Sequence, residues 1–241
     1  TGITLQAHVA EIRIDEAEDG ELQAIVGATY RLHNPGNSLE VVGLRVAPGE
    51  SLSHTRPNGS QDPVMTAGGQ PLLLEADGAG GYSVQVQLDA DERLTLLLSY
   101  RIDLDAVLPT VYYAPSVLNR WPGNVSLRVD VFVPKSVSPE SWTKIEPDTW
   151  TYALADEPEN SHLKWLYDSS IPDLAFVFQF VAPTVWAGIH AGEQATAGGA
   201  AAGDYKYLGD LYQTVFMAPK ADGAVRDRFY AQALAAYSSA L

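Results

Sequence analysis

"RLTLLLSYRIDL" (residues 93–104) places an apolar residue at every second position. The apolar members are Leu94, Leu96, Leu98, Tyr100, Ile102 and Leu104. Because successive side chains of a β-strand point to opposite faces of a sheet, the stretch predicts a strand with one buried face. It is the longest clean alternation in the chain, and we predict that it lies inside a sheet and not at its edge.

The same two-residue period recurs on both sides of this strand, in "ELQAIVGATYRLH" (21–33), "VSLRVDVFVP" (125–134) and "PDLAFVFQFVAP" (172–183). About ten to twelve strands at this spacing, with no amphipathic helix between them, predict a mainly β fold. We predict an antiparallel immunoglobulin-like β-sandwich over residues 1–183. It is either one sandwich or two packed sandwiches with an internal border near 105–124.

The composition and the period both change after residue 183. Residues 184–204 are rich in Ala and Gly, and this composition predicts a flexible linker. In "YKYLGDLYQTVF" (205–216) the apolar residues recur at steps of three and four, which predicts a helix with one apolar face. The same spacing predicts a second helix within 224–241. We therefore predict a C-terminal α-helical hairpin over 205–241.

The first of these helices contains "YKYLGDLY", in which Leu-Gly follows an aromatic residue by three positions and Tyr follows three later. The spacing resembles the W-x2-L-G-x2-Y pattern of a tetratricopeptide repeat, and "FYAQALAAY" resembles the second helix of that repeat. The connection between the helices is longer than the family spacing, and a single repeat is present. The resemblance implies protein binding by the helical part. The residues that it implies in helix packing are Tyr205, Leu208, Gly209, Tyr212 and Ala233.

Two β segments carry a second resemblance. "DGELQAIVGATYRLHNPG" (19–36) resembles the opening of secreted bacterial immunoglobulin-like sandwiches. "LKWLYDSSIPDLAFVFQFVAP" (163–183) resembles a late hairpin of exported bacterial ectodomains. The resemblance implies export but carries no activity with it, because a fold does not by itself supply a function.

The charge balance restricts the partners. Fifteen basic and thirty acidic residues give a net charge of −15, and such a surface repels nucleic-acid phosphates and anionic lipid headgroups. The chain has no cysteine, which removes disulfides and thiolate chemistry and favours export. No apolar run approaches the ~20 residues that span a bilayer. We expect an extracytoplasmic or cell-surface protein whose signal peptide or anchor lies outside this chain.

Motifs for catalysis, metals and cofactors give little support to an enzyme. The five histidines are widely separated, and neither a G-x-S-x-G elbow nor a phosphate-binding loop is present. We predict no catalytic residue and no cofactor. Asp15, Glu18 and Asp19 form a calcium candidate, because Ca²⁺ takes several oxygen ligands from one acidic loop. The alternative is a solvated hairpin tip.

Aromatic residues are the remaining binding candidates. "TVYYAPSVLNRW" (110–121) contains Tyr112, Tyr113 and Trp121. Tyr112 and Tyr113 must point to opposite faces if the segment is a strand, so one of them would be exposed. Exposed Tyr and Trp side chains suit wet interfaces and stack on sugar rings. The alternative is that these aromatic residues pack in the core.

These patterns together predict a non-enzymatic binding or spacer module of a bacterial surface protein, acting through protein–protein contacts. The first alternative is a carbohydrate-binding module that uses exposed aromatic residues. The second is a hydrolase with a pair of carboxyl groups, which would lie roughly 5 to 10 Å apart.

Overall fold

The computed structural model describes residues 2–16, 21–46, 63–76, 81–115, 121–122, 124–153, 160–168 and 175–241. The chain forms two compact units. The first comprises Thr1–Leu104, Tyr112–Pro134 and Glu146–Phe176, and the second comprises Asp105–Val111, Lys135–Ile145 and Val177–Leu241. Residues 1–183, predicted as one β region, therefore contribute to both units.

The described residues are mainly β, as predicted, and three helices follow the last strand. The strands are β1 (Thr4–Glu16), β2 (Leu22–His33), β3 (Glu40–Val46), β4 (Val64–Ala67), β5 (Gln70–Leu72), β6 (Glu75–Ala76), β7 (Tyr82–Leu88), β8 (Arg93–Asp103), β9 (Thr110–Tyr113), β10 (Ser126–Pro134), β11 (Trp142–Glu146), β12 (Thr151–Ala153), β13 (Asn160–Tyr167) and β14 (Phe176–Phe180). The helices are α1 (Pro183–Thr196), α2 (Ala202–Phe216) and α3 (Gly223–Ser239).

An eight-stranded sheet dominates the first unit, in the order β12-β13-β10-β1-β2-β8-β4-β5. Strand β8 lies between β2 and β4, which confirms the interior position predicted for it. Leu96 and Leu98 are buried on one face of β8, whereas Leu97 between them is half exposed. The two-residue period of the sequence is therefore the burial period of the strand.

The prediction of a purely antiparallel architecture is wrong for this sheet. Strands β1 and β10 pair in parallel, with Ala10 opposite Val129, while β1 pairs with β2 in the antiparallel direction. The sheet is therefore mixed. Alternation in a sequence defines the two faces of a strand, but it contains no information on the partner or its direction. The immunoglobulin-like topology stays a prediction.

The buried face of this sheet is built from rows of apolar residues that cross the strands. One row contains Trp165, Val129, Ala10, Ala28 and Leu98, on β13, β10, β1, β2 and β8. All five are almost fully buried. Small residues on β1 and β2 lie next to large ones on the neighbouring strands, and such cross-strand contacts stabilise a sheet.

A smaller antiparallel sheet, β3-β7-β6, also belongs to the first unit. Its turns are tied to the large sheet by the buried side chain of Asn34. The Asn34 amide nitrogen lies 2.9 Å from the Ser38 carbonyl, 3.1 Å from the Leu88 carbonyl and 2.9 Å from the Asp89 carbonyl. Its carbonyl oxygen accepts from the Gly36 amide at 3.0 Å. This side chain therefore hydrogen-bonds backbone carbonyl and amide groups of two turns. At this buried position water does not reach those groups.

The second unit contains most of a three-stranded sheet, in the order β11-β14-β9. Gln179 on β14 is buried and connects all three strands. Its amide oxygen accepts from Thr143 Oγ1 at 3.0 Å, and its amide nitrogen donates to Thr110 Oγ1 at 2.9 Å and to the Lys220 carbonyl at 3.1 Å. A buried amide with all of these partners fixes the register of the strands and the position of the α2–α3 turn.

The linker predicted over 184–204 is wrong for most of its length, because Pro183–Thr196 is helix α1. Alanine is the best helix former, and the glycines of α1 serve close packing. A Cβ atom on Gly192 would lie 3.1 Å from Leu208 Cδ1, and one on Gly188 would lie 3.3 Å from Leu211 Cδ1. The small residues that resembled a linker are thus the surface on which α2 packs.

Helices α2 and α3 occupy the segment predicted as a hairpin, but α1 makes the layer a set of three helices. Leu208, Gly209, Tyr212 and Ala233 are all buried, and Tyr205 is half-buried with its hydroxyl donating to the Thr196 carbonyl at 3.3 Å. These residues therefore serve helix packing, while the resemblance to a tetratricopeptide repeat stays a prediction. None of the helices in the described part of the chain is long and apolar enough to cross a membrane.

The closest approach of α2 to α3 is at Gly209. A Cβ atom there would lie 2.6 Å from Tyr237 Cε1 and 2.8 Å from Tyr237 Cδ1, distances that real Cβ atoms do not show. The Tyr237 ring thus lies directly on the α2 backbone, and only glycine permits this contact.

We predict that Gly209→Ala destabilises the helical unit by about 1–3 kcal/mol, because the added methyl group forces the Tyr237 ring away from α2. The matched control is Gly203→Ala in the same helix, where no atom lies within 4 Å of the added Cβ. The control should leave stability unchanged or raise it by at most about 1 kcal/mol. Urea unfolding followed by circular dichroism at 222 nm measures both, and equal stabilities of the two variants would contradict the prediction.

Candidate functional site

An apolar stripe along α3 is partly exposed in the helical unit. It consists of Tyr230, Leu234, Tyr237 and Leu241, spaced by four, three and four residues, and we call it the outer stripe. Tyr230 is 56% exposed and Leu234 is 55% exposed, whereas Tyr237 is half-buried. Residues at this spacing lie along one side of a helix.

The outer stripe differs from the face that α3 buries. That buried face consists of Val225, Phe229, Ala233 and Ala236. Tyr230 and Leu234 each follow a buried residue by one position, which rotates them by about 100° around the helix. The apolar residues of α3 therefore extend beyond its buried face, and Tyr230 and Leu234 stay more than half exposed beside α2.

Contacts with α2 hold the aromatic residues of the outer stripe in place. The Phe216 ring meets the Tyr230 ring edge-on, with centroids 5.6 Å apart. The Tyr237 hydroxyl lies 2.7 Å from Asp210 Oδ1 and 2.8 Å from Gln213 Oε1. Hydrogen bonds from Lys206 and then Tyr237 lower the pKa of the Asp210 carboxyl group, so that it stays charged and accepts these bonds. The two tyrosine side chains of the stripe therefore have few rotamers left to lose.

A polar network lies on the opposite face of the large sheet from its apolar rows. Phe132 on β10 stacks against His162 on β13 with centroids 4.3 Å apart, and the Arg13 guanidinium carbon lies 4.4 Å from the Phe132 ring centroid. Asp130 is completely buried beside them. Its Oδ1 is 2.6 Å from His162 Nε2, and its Oδ2 is 2.5 Å from Arg128 Nε.

This outer-face network balances charge inside the unit. Arg128 binds Asp130 through both Nε and Nη2, and the hydrogen bond to Asp130 raises the pKa of the Arg128 guanidinium. Glu11 lies directly opposite Asp130 in the β1–β10 register, which provides the pair of carboxyl groups that the hydrolase alternative needs. Both oxygens of Asp130 are, however, already hydrogen-bonded to Arg128 and His162. The carboxyl group is therefore used inside the fold, where buried acidic groups need such partners.

This network was not predicted from the sequence. Its signal is the alternation in "SLRVDVFV", where Arg128, Asp130 and Phe132 occupy the face opposite the valines. Two charged residues in that position mark a polar face, but their partners Arg13 and His162 come from strands far away in the sequence.

A second network is buried on the apolar side of the sheet, around His8. His8 Nδ1 is 3.1 Å from the Thr29 carbonyl, and because a carbonyl only accepts, Nδ1 carries the proton. His8 Nε2 then accepts a short hydrogen bond from the Tyr113 hydroxyl. Tyr30 is hydrogen-bonded to Tyr113, and its ring centroid lies 4.5 Å from that of His8. Tyr113 is thus hydrogen-bonded to both His8 and Tyr30, and the three side chains form one uncharged network.

Burial keeps this network neutral. It lowers the pKa of His8 from 6.5 to about 4, an effect only partly offset by the hydrogen bond to Thr29. It raises the pKa of Tyr30 to about 12, and it raises the pKa values of Tyr100 and Tyr113 as well. Desolvation disfavours the charged form of each group. Because both ring nitrogens of His8 are hydrogen-bonded within the chain, the network stabilises the fold.

The aromatic binding candidates separate in the structure. Residues 110–113 form strand β9, as the alternation argument required, and the Tyr113 hydroxyl is committed to His8. Tyr112 and Trp121 are half-buried, and their role in binding stays a prediction.

The calcium candidate is only partly described. Asp15 lies at the end of β1, whereas Glu18 and Asp19 lie outside the described residues. Across the described stretches, no three His, Asp or Glu side chains come together as metal ligands would.

No protein-family model matches the chain, and no curated protein sequence matches it. The fold is similar to the crystal structure of a "putative nutrient binding protein" from Legionella pneumophila, with a TM-score of 0.57, 9% identity and coverage of 100% of this chain and 94% of that chain. An M1 zinc metallopeptidase from Deinococcus radiodurans aligns with a TM-score of 0.44, 15% identity and coverage of 73% of this chain and 42% of that chain. At 9% identity the first likeness shows a shared fold alone, and the second carries no conclusion.

We predict that His8 makes the first unit acid-sensitive. The pKa of His8 is about 4 in the folded chain and 6.5 in the unfolded chain. Between these pH values His8 is protonated in the unfolded state and neutral in the folded state, so protonation favours unfolding. The contribution of neutral His8 to the free energy of unfolding is fully present above pH 6.5 and is lost as the pH falls towards 4. The loss amounts to about 3 kcal/mol.

The measurement is urea unfolding of the wild type and of His8→Gln between pH 7 and pH 4. The stability advantage of the wild type over the variant should shrink by about 3 kcal/mol across this window. The matched control is His190→Gln, which changes an exposed histidine on α1 and should keep the pH dependence of the wild type. An advantage that is constant with pH would show that His8 does not titrate as described.

Proposed function

We propose that the chain is a non-enzymatic binding module that acts through protein–protein contacts made by the outer stripe of α3. The observation that carries the proposal is the exposure of Tyr230 and Leu234 on a helix whose other apolar side is already buried. Exposed apolar residues are common singly, but a row of them along one helix marks a docking surface.

The physical gain lies in removing these side chains from water. Full burial of a large apolar side chain is worth about 1.5–3 kcal/mol, and Tyr230 and Leu234 are each more than half exposed. Phe216 and the acceptors on α2 already restrict the two tyrosine rings, so little conformational entropy is left to lose on binding. Tyrosine also suits an interface because its hydroxyl stays hydrogen-bonded at the wet rim.

A role in binding and a location outside the cytoplasm have separate support. The Legionella protein with the shared fold carries a binding function in its name, which favours a binding role for this chain. The absence of cysteine and the resemblance of two β segments to exported bacterial ectodomains favour an extracytoplasmic or cell-surface location.

Photo-cross-linking in the native host tests the proposal. The cross-linker p-benzoylphenylalanine replaces Leu234 or, as a control, the exposed Thr214 on α2 in the full-length gene product. Irradiation should give discrete protein adducts from position 234 and none from position 214. The absence of any adduct at position 234, or identical adducts from both positions, would contradict the assignment of the stripe as the contact surface.

A further inference from the structure

We infer that one face of the large sheet binds an acidic polypeptide segment, through basic and apolar side chains that neighbouring strands bring together. The surface belongs to the first unit, so the inference is independent of the outer stripe of α3 and of the proposed function. Its basis is the distribution of charge and of exposed apolar side chains over that face.

Five basic residues lie on the face of the large sheet that also carries Asp130 and Phe132. They are Arg13, Arg31, Arg101, Arg128 and Lys164. We call the surface that they share the basic face. They come from β1, β2, β8, β10 and β13, which lie side by side in the sheet. Because neighbouring strands lie about 4.8 Å apart, the five positions spread over roughly 20 Å across the strands.

The register of the strands places these residues on one face. Lys164 lies opposite Asp130, and Arg13 lies opposite Phe132. Arg101 belongs to the same row as Arg13, two strands away. The other two basic residues follow from the two-residue period of side chains along β2 and β10.

The charge of the basic face is opposite in sign to that of the chain, which has fifteen basic and thirty acidic residues. Among the described strand residues, the rows that contain the five basic residues contain two acidic ones, Glu11 and Asp130. Asp130 is fully buried, and Arg128 balances its charge. The acidic residues Asp15 and Asp103 share the next row and mark the border of the face. An acidic partner is therefore attracted to this face and repelled by most of the remaining surface.

Exposed apolar side chains lie between the basic ones. Leu166 is 58% exposed and Leu97 is 48% exposed, and both share a row with Arg128. Val64 on β4 is 57% exposed on the same face. A phosphate or sulfate chain would neutralise the basic side chains but would leave the leucines in water. A polypeptide segment in which acidic residues alternate with apolar ones covers both, so it suits this surface better.

Two of the basic side chains are held in place before a partner binds. Arg128 binds Asp130 through Nε and Nη2, while its side chain stays 42% exposed. The Arg13 guanidinium carbon lies 4.4 Å from the centre of the Phe132 ring. Side chains that are already ordered lose little conformational entropy on binding, which favours a contact at these positions.

Fluorescence anisotropy with a rhodamine-labelled peptide tests the inference on the purified 241-residue chain. The probe is a peptide of about 12 residues in which Glu alternates with Leu and Ser, and the control peptide has Gln in place of Glu. The acidic peptide should bind with a dissociation constant of about 10 μM to 1 mM, since the surface is smaller than a standard interface. The Gln peptide should bind about tenfold more weakly, and NaCl at about 0.5 M should remove most of this difference.

A pair of double variants tests the role of charge. Arg101→Glu combined with Lys164→Glu should weaken binding of the acidic peptide by about tenfold, because two attractions become repulsions. The matched control is Lys220→Glu combined with Arg226→Glu, which makes the same charge change at exposed positions of the second unit. The control should bind the peptide within about twofold of the wild type.

A pair of single variants tests the apolar contact. Leu97→Ser should weaken binding of the acidic peptide by about threefold, because part of a leucine is no longer removed from water. The matched control is Leu39→Ser, at a leucine that is 55% exposed just before β3 of the small sheet, and it should bind like the wild type. Circular dichroism should show the same fold for all of these variants, since every changed side chain is at least partly exposed.

Each outcome supports or overturns the inference. Weaker binding in the Arg101/Lys164 double variant and in Leu97→Ser, with both controls unchanged, supports it. A wild type that binds neither peptide at about 1 mM, or that binds both equally, overturns it. Tighter binding of heparin or of phosphatidylglycerol vesicles than of the acidic peptide, lost in the same double variant, overturns a polypeptide as the occupant of the basic face.

Discussion

Parallel pairing of β1 with β10 joins two segments that are far apart in the sequence, and the rest of the first unit is arranged around it. It puts Arg13 beside Phe132 on one face and Ala10 beside Val129 on the other. Closing so long a loop costs chain entropy before any contact forms. The contact is maintained because both faces of β10 are buried, so that each residue of the strand contributes to stability from one side or the other.

The two polar networks of this unit solve the problem of buried polar groups in different ways. On the apolar side, His8 stays neutral and its nitrogens are used by Thr29 and Tyr113. On the other side, Asp130 stays buried with Arg128 and His162 around it. A neutral group needs only hydrogen bonds, whereas a buried carboxylate also needs nearby donors that balance its charge. Both networks fix which strands lie together, since an incorrect neighbour would leave polar atoms without partners.

In the helical unit, the residues that bring the helices together differ from those that form the exposed apolar surface. Glycines bring the helices together: Gly188 and Gly192 allow α1 to approach α2, and Gly209 allows α3 to approach α2. Close packing through small residues leaves the large side chains Tyr230 and Leu234 on the outside. A layer built in this way is rigid in its interior and apolar on one outer side, which is the combination that a docking surface requires.

The long strands could be predicted from the sequence alone, because alternation along β8 and β10 follows directly from the geometry of an extended chain. The helices α2 and α3 could be predicted for the same reason, from spacings of three and four. Partner and direction of each strand could not, since the pairing of Arg13 with Phe132 depends on contacts between distant residues. The segment of α1 was mistaken for a linker, because Gly and Ala favour flexibility in isolation and close packing only beside another helix. The exposure of Tyr230 and Leu234 was likewise decided by tertiary structure: a spacing identifies the apolar sides of a helix, but the position of α2 determines which of them is buried.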